Sequence, residues 1–338
     1  MEAIFTEQQK IIINTAKKMA ENGLDDGVNL INKNHNIDQV LFTEWSGLGI
    51  PEENGGLGGG IMDLALLFQE LSTKLIKTNF FNHAISLQVA HASGISTKDA
   101  LLNNEKWCII AESDFSSLIS TKINIKNNRL IGSYNHVLDG DVANKVIIVG
   151  VDKIILVAPI DCKISNSSDL IQSVASLEFD SEILDQGSTK NNPLLNGLAL
   201  SAAKLCGIAR GAIDLAVDYA NHREQFGRKI GSFQGVAHQL AEAEKDLQTS
   251  ISLMLYSCWS VEGKSTINPH KYIHAAKANA SIGAILAAET SIQVHGGMGM
   301  TFETPAHLYL RQALSNAAQF GSYKQHFKET AKITMQDK

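Results

Sequence analysis

Apolar residues recur along this chain with two different rhythms, and the changes of rhythm divide it. Thr6 followed by Gln9 fits a capping box, in which a hydroxyl and an amide side chain satisfy backbone donors left orphaned at a helix start, so a helix is predicted over IIINTAKKMA. Helical pattern continues over 38–45, breaks at the glycine-rich stretch PEENGGLGGG (51–60) and resumes in MDLALLFQELSTKL. From Trp107 to about Phe179 the texture changes to short β-branched runs, WCIIAE, KINIKNN, KVIIVGV and KIILVAPI, separated by Asn, Gly and Asp turns. No helical segment lies between those runs, which predicts a mainly antiparallel sheet.

Helical period returns after Pro193. Leu198, Ala202, Leu205, Ala209, Ala212, Ala216 and Tyr219 alternate steps of four and three, and Phe233, Val236, Leu240, Ala243, Leu247, Ile251, Met254 and Cys258 repeat the rhythm. Two more helical stretches are predicted over 269–294 and from 304 to about 332. Small residues on the seams predict a closely packed antiparallel bundle of four helices. The expected organisation is mostly α: an N-terminal helical domain over 1–104, a small antiparallel β domain over 105–190 and a four-helix domain over 191–338.

Composition narrows the function. Of 338 residues, 44% are hydrophobic and 19% charged, the balance of a folded globular protein. A net charge of -6 provides no basic stripe, so nucleic acid is not expected as a partner. Cys108, Cys162, Cys206 and Cys258 lie far apart, without the spacing of zinc ligands, and read as reduced core thiols; no metal site is expected. The N-terminus has acids before any apolar run and no stretch reaches membrane-spanning length, so a cytoplasmic location is expected.

The glycine run at 55–60 follows a helix and fits no phosphate-cradling pattern, so a tight inter-helix connection is the better reading. Arg223 to Gln234, REQFGRKIGSFQ, joins two long helices; alone, Gly227 is a helix stop and Arg223 a solvated charge. A second segment, QVHGGMGMTFETPAHLYLR, carries adjacent glycines after a helix and a helix restart at Thr304-Pro305. Adjacent glycines let a backbone or a bulky ligand approach closely.

Together these segments resemble the acyl-CoA dehydrogenase family. Its phrase Tyr, then Arg-x-x-Phe-Gly, then Gln eight residues after the Phe is matched by Tyr219, Arg223, Phe226, Gly227 and Gln234. Its phrase Gln-x-x-Gly-Gly-x-Gly is matched by Gln293, Gly296, Gly297 and Gly299, and PEENGGLGGG looks like its Pro-Glu-x-x-Gly-Gly connection. The resemblance implies an FAD site in which these phrases reach over a neighbouring subunit's flavin. It points to Arg223, Gln225, Phe226, Gln234, Gln293, Gly296 and Gly297 as cofactor-binding residues, with Arg223 suited to pyrophosphate.

Where the family serves its own flavin and substrate, the chain departs from the pattern. Thr-Glu-Pro-x-x-Gly-Ser appears only as AESDFSSL (111–118), Trp-x-Thr aligns with His136, Val137 and Leu138, and the CoA-side Asp and Arg align with Leu195 and Leu198. The catalytic Glu of a Glu-Gly pair aligns with Phe320 before Gly321, and the alternative base position of a smaller branch aligns with Gly197. Acyl-CoA dehydrogenation needs a carboxylate to take the α-proton while flavin takes the β-hydride, and phenylalanine accepts no proton. Glu303 reads as a carboxylate favoured by a helix N-terminus, and His238, His295 and His307 as structural groups, so no catalytic residue is assigned.

The expectation is therefore a baseless subunit of a heteromeric acyl-CoA dehydrogenase of the steroid side-chain type. Its partners would be a second dehydrogenase-like subunit carrying the Glu in an α2β2 assembly, an acyl-CoA substrate of the complex and an electron-accepting flavoprotein. The rivals are a homo-oligomeric flavoenzyme using another base and a flavin-free structural or regulatory paralogue.

Overall fold

The computed structural model describes residues 5–22, 37–111, 122–165, 167, 169–263 and 268–336. Helices α1 (Glu7–Asn22), α2 (Ile37–Val40), α3 (Ile61–Ser72), α4 (Phe80–Ser93) and α5 (Lys98–Asn103) come first. The capping box forms as read: Thr6 N–H donates to Gln9 Oε1 at 3.1 Å and Gln9 N–H to Thr6 Oγ1 at 3.2 Å. The glycine run is a tight connection, its backbone folded so that Gly58 N–H donates to Ile50 O and Gly49 N–H to Gly58 O, both at 2.8 Å.

Among the described residues eight strands follow: β1 (Trp107–Ala111), β2 (Lys122–Lys126), β3 (Arg129–Leu138), β4 (Lys145–Val149), β5 (Lys153–Val157), β6 (Asp161–Ile164), β7 (Val174–Glu182) and β8 (Asp185–Ser188). They form two four-stranded sheets, β1-β4-β5-β8 and β2-β3-β7-β6. Every pairing is antiparallel except β1 with β4, which run parallel. The chain spends β2 and β3 in the other sheet before β4 returns beside β1, and such a crossover is what a parallel pair requires. Tyr134, Leu130, Val146, Val157 and Leu177 are among the buried residues that form the core of this β region. Cys108 is buried, but Cys162 is exposed on the edge strand β6, so the expectation of four core thiols fails at that residue.

The remaining elements are α6 (Leu194–His222), β9 (Glu224–Gln225), β10 (Arg228–Lys229), α7 (Gln234–Val261), α8 (Pro269–His295), α9 (Ala306–Ala318) and α10 (Tyr323–Gln336). The α6 seam is buried from Leu198 through Ala216. On α7, Ala243, Leu247, Met254 and Cys258 are buried, whereas Phe233, Val236 and Leu240 at its start are only half-buried. The fourth predicted stretch is two helices. Gln319 is extended and Phe320 and Gly321 have φ of 62° and 112°, a left-handed corner through which no right-handed helix continues.

The described residues form two compact units, one of residues 5–22, 65–76 and 199–336, the other of residues 37–64 and 77–198. In the first, α8 packs against α7, α9 and α10. In the second, α4 packs on β1, where Trp107 N–H donates to the buried His83 Nδ1 at 3.2 Å.

Candidate functional site

Beyond α6 the chain doubles back through a hairpin. Gln225 pairs with Arg228, leaving Phe226 and Gly227 as a two-residue loop with φ of 53° and 76°. Two left-handed residues make the turn whose twist matches antiparallel strands; glycine adopts it freely and phenylalanine does not. At its root, Arg223 N–H donates to Tyr219 O at 2.8 Å and Ile230 N–H to Arg223 O at 2.9 Å. Phe226 is 92% exposed, with its ring edge-on to Phe233 at 6.2 Å, and the Arg228 guanidinium lies 4.0 Å over the Phe233 ring. Gln225 folds onto its own strand, Nε2 donating to Glu224 O at 2.7 Å. Arg223 is exposed, and its guanidinium has no hydrogen-bond or ion-pair partner among the described residues. Gln234, also exposed, opens α7.

Gln293 lies exposed in the last turn of α8, which ends where Gly296 takes φ 62° and ψ −138°, a conformation that side chains forbid. A Cβ on Gly296 or Gly297 would meet nothing within 4 Å, whereas one on Gly299 would stand 2.6 Å from Ile292 O. The first two glycines therefore leave open surface and the third is a packing glycine.

A small core gathers these segments. Ala216, Ala220 and Val294 are buried together, with Tyr219, Ile230, Val236 and Leu240 packed against them. Tyr219 stacks on His295 at 4.3 Å and 25°, its hydroxyl 3.7 Å from Met298 Sδ, and His295 Nδ1 lies 2.7 Å from Ser291 O. Burial lowers the His295 pKa, so the ring is neutral near pH 7. Arg223, Gln225, Phe226, Gln234, Gln293, Gly296 and Gly297 thus project from helix ends and turns held by one cluster.

Phe320 and Gly197 stand at the two positions that the resemblance pairs with a base. Phe320 is 8% exposed, its left-handed backbone an outlier for a bulky residue. A Cβ on Gly197 would lie 3.1 Å from Ile85 Cγ2 and 3.6 Å from Leu194 Cδ1, so that site is closed by aliphatic carbon. Leu195 and Leu198 are buried. His136 is exposed at an irregularity of β3, where the register with β7 shifts between Tyr134 and Val137. Of the 111–118 stretch, only Ala111 lies within the described residues. Glu303 and His238 are exposed. His307 is buried against Phe302, with neither ring nitrogen paired among the described residues.

Sequence reasoning passed over a buried polar group on α8. Lys277, fully buried, donates from Nζ to Asn316 O at 2.9 Å and Ala317 O at 3.3 Å, and His274 Nδ1 meets His326 Nδ1 at 2.9 Å. A lysine between Ala276 and Ala278 on an otherwise small-residue seam was the available signal.

A family model described as acyl-CoA dehydrogenase, C-terminal domain, matches residues 190–331. The acyl-CoA dehydrogenase FadE34 of Mycobacterium tuberculosis is 29% identical over 276 residues, 79% of this chain but 37% of its own length. The acyl-CoA dehydrogenase IpdE2 of the same bacterium is 27% identical over 278 residues, 80% of this chain and 77% of its own. Among solved structures, a chain of the ChsE4-ChsE5 complex from Mycobacterium tuberculosis superposes with a TM-score of 0.86 at 17% identity, covering 99% of both chains. A Tcur3481-Tcur3483 steroid acyl-CoA dehydrogenase variant superposes with a TM-score of 0.84 at 18% identity, covering 98% of both. The last two likenesses establish the fold; residues 190–331 match the acyl-CoA dehydrogenase C-terminal domain, and over four-fifths of its length the chain is similar to acyl-CoA dehydrogenases.

Proposed function

We propose that this chain is the baseless subunit of an FAD-dependent acyl-CoA dehydrogenase and completes the flavin site of a neighbouring subunit. One contrast carries the reading. The side chains that face outward at the hairpin and glycine turn are kept, exposed and, at Arg223, unpartnered among the described residues, while the position aligned with the family's carboxylate holds a buried phenylalanine. A guanidinium without an internal partner suits the pyrophosphate of FAD, the family's cofactor, and the open surface beside Gly296 and Gly297 leaves room for a dinucleotide. The half-buried apolar side chains of Phe233, Val236 and Leu240 support a protein neighbour at the same face.

FAD, which Arg223, Gln234 and Gln293 would help to hold, would supply the acceptor for the β-hydride of an acyl-CoA thioester. The α-proton needs an acceptor within hydrogen-bond reach, which in this reading stands on the partner. This chain's task is to bind and orient: Arg223 holds phosphate charge, Gln234 and Gln293 orient polar edges, and the glycines allow close approach. Leu194, Leu195 and Leu198 fill the helix start that would otherwise face CoA. Likeness to a chain from a two-component complex supports a heteromer, and the steroid class of the second structural relative makes a steroid acyl-CoA the first substrate to offer it.

The test is purification with and without a dehydrogenase-like chain bearing a Glu-Gly pair, followed by flavin quantification. The chain alone should retain little FAD and the complex should be loaded. Arg223→Ala should weaken FAD retention in the complex roughly ten- to a hundredfold, the worth of one charge-assisted hydrogen bond. Stoichiometric FAD in the single chain would overturn the reading.

A further inference from the structure

The corner between α9 and α10 is held from beneath by α8. Lys277 reaches Asn316 O and Ala317 O, carbonyls of the last turn of α9 that a helix end leaves without intrahelical donors, and also lies 3.4 Å from Ser281 Oγ. One turn away on α8, His274 meets the fully buried His326 of α10, whose ring leans on the backbone of Phe320 and Gly321. A single helix thus grips the chain on both sides of a left-handed phenylalanine. The grip contains no carboxylate: burial alone shifts the Lys277 amine, without an acid to stabilise its charge. From α10, Glu329 acts on His274 and His326 faces Lys277; from α8, His270 acts on His274; α7 and α9 present no charge that registers on Lys277 among the described residues.

The geometry points to a proton-controlled latch: Lys277, with His274 and His326, holds the α9–α10 corner and the set of Phe320, and the hold tightens as Lys277 loses its proton. The inference concerns the helical unit alone and does not depend on the flavin reading. An ammonium buried among carbonyls and methyl groups is disfavoured relative to the amine, and the pKa accordingly falls from 10.5 to about 7. If the corner opens, water reaches Lys277 and its ordinary pKa returns. Between these two values the open form binds the extra proton, so closure gains with rising pH above about 7 and is flat just below it.

Hydrogen exchange of the full chain, corrected for the intrinsic rate, tests this over pH 7 to 9. Protection of the segment 318–323 should rise by up to about tenfold per pH unit, the slope of one proton, while the hairpin root at 219–230 stays flat. Lys277→Met should remain protected and lose the slope. Lys277→Arg, which keeps its charge, should be weakly protected throughout. A flat wild-type profile overturns the latch, as does an undiminished slope in Lys277→Met. Should the Met variant fail to fold, the wild-type slope measured against the hairpin root still decides.

Discussion

The hairpin with its glycine turn and the α9–α10 corner belong to the same helical unit and keep opposite things. At the hairpin stand side chains that the packing of the described residues does not need: Arg223 has no partner among those residues and Phe226 stands in solvent. At the corner, the backbone survives, left-handed at residue 320 and buttressed by Lys277 and His326, while the side chain it displays has no chemistry. Backbone shape is held by many contacts and changes slowly; a function at one side chain vanishes with a single substitution. On the proposed function, the two regions report separately on what a subunit offers others and what it does itself.

Acid should separate them most sharply. Burial, acting against the charged form, pulls the pKa of His274 from 6.5 to about 4 and that of His326 to about 3, both at the corner, and that of His83 in the other unit to about 3. The unfolded chain binds protons first, so the stability these rings contribute is complete above pH 6.5 and is lost as pH falls from there toward 4 and below. Amide protection over 318–330, where two such rings meet, should fall in that window before protection at 219–230, where burial lowers the pKa of one ring, His295. Simultaneous loss would mean that the corner has no stability of its own.

Phe320 sharpens the comparison next. Phe320→Ala should cost about 3 kcal/mol by removing a buried ring. Phe320→Gly, which removes the same ring but relieves the left-handed backbone, should be milder by about 1 kcal/mol. Urea denaturation of both variants decides, and equal costs would show that the conformation is unstrained. The glycine turn supplies the smallest effects. Gly299→Ala forces a methyl against Ile292 O and should destabilise by about 2 kcal/mol, whereas Gly297→Ala enters open space and should stay within about 0.5 kcal/mol. If Gly297→Ala matched Gly299→Ala, the open surface assigned to a ligand would instead be part of the packing.

What was legible in the sequence was local or periodic. The Thr6-Gln9 box involves neighbours in the chain, and the α6 seam repeats often enough to be heard above any single residue. The β1–β4 pairing was not legible, because its partners are 38 residues apart in register, Trp107 with Lys145, and nothing nearby encodes direction. Nor was the break after Ala318, since the apolar period runs on through 304–332 and the left-handed corner is held by α8. For the candidate site, the motif residues could be read one phrase at a time. Their meeting depends on Val294 packing with Ala216 and Ala220, a contact between distant segments.

The hairpin tip bears on how this protein should be engineered. Phe226 occupies the first position of a two-residue turn that favours asparagine, so a stabilisation campaign run on the isolated chain would choose Phe226→Asn early, gain turn energy and bury nothing less than before. The same substitution would strip an aromatic ring from the outermost point of the proposed partner-facing surface. If that surface does meet a partner, libraries scored by melting temperature would enrich for chains that assemble poorly, and selection on the assembled protein would keep the two properties apart.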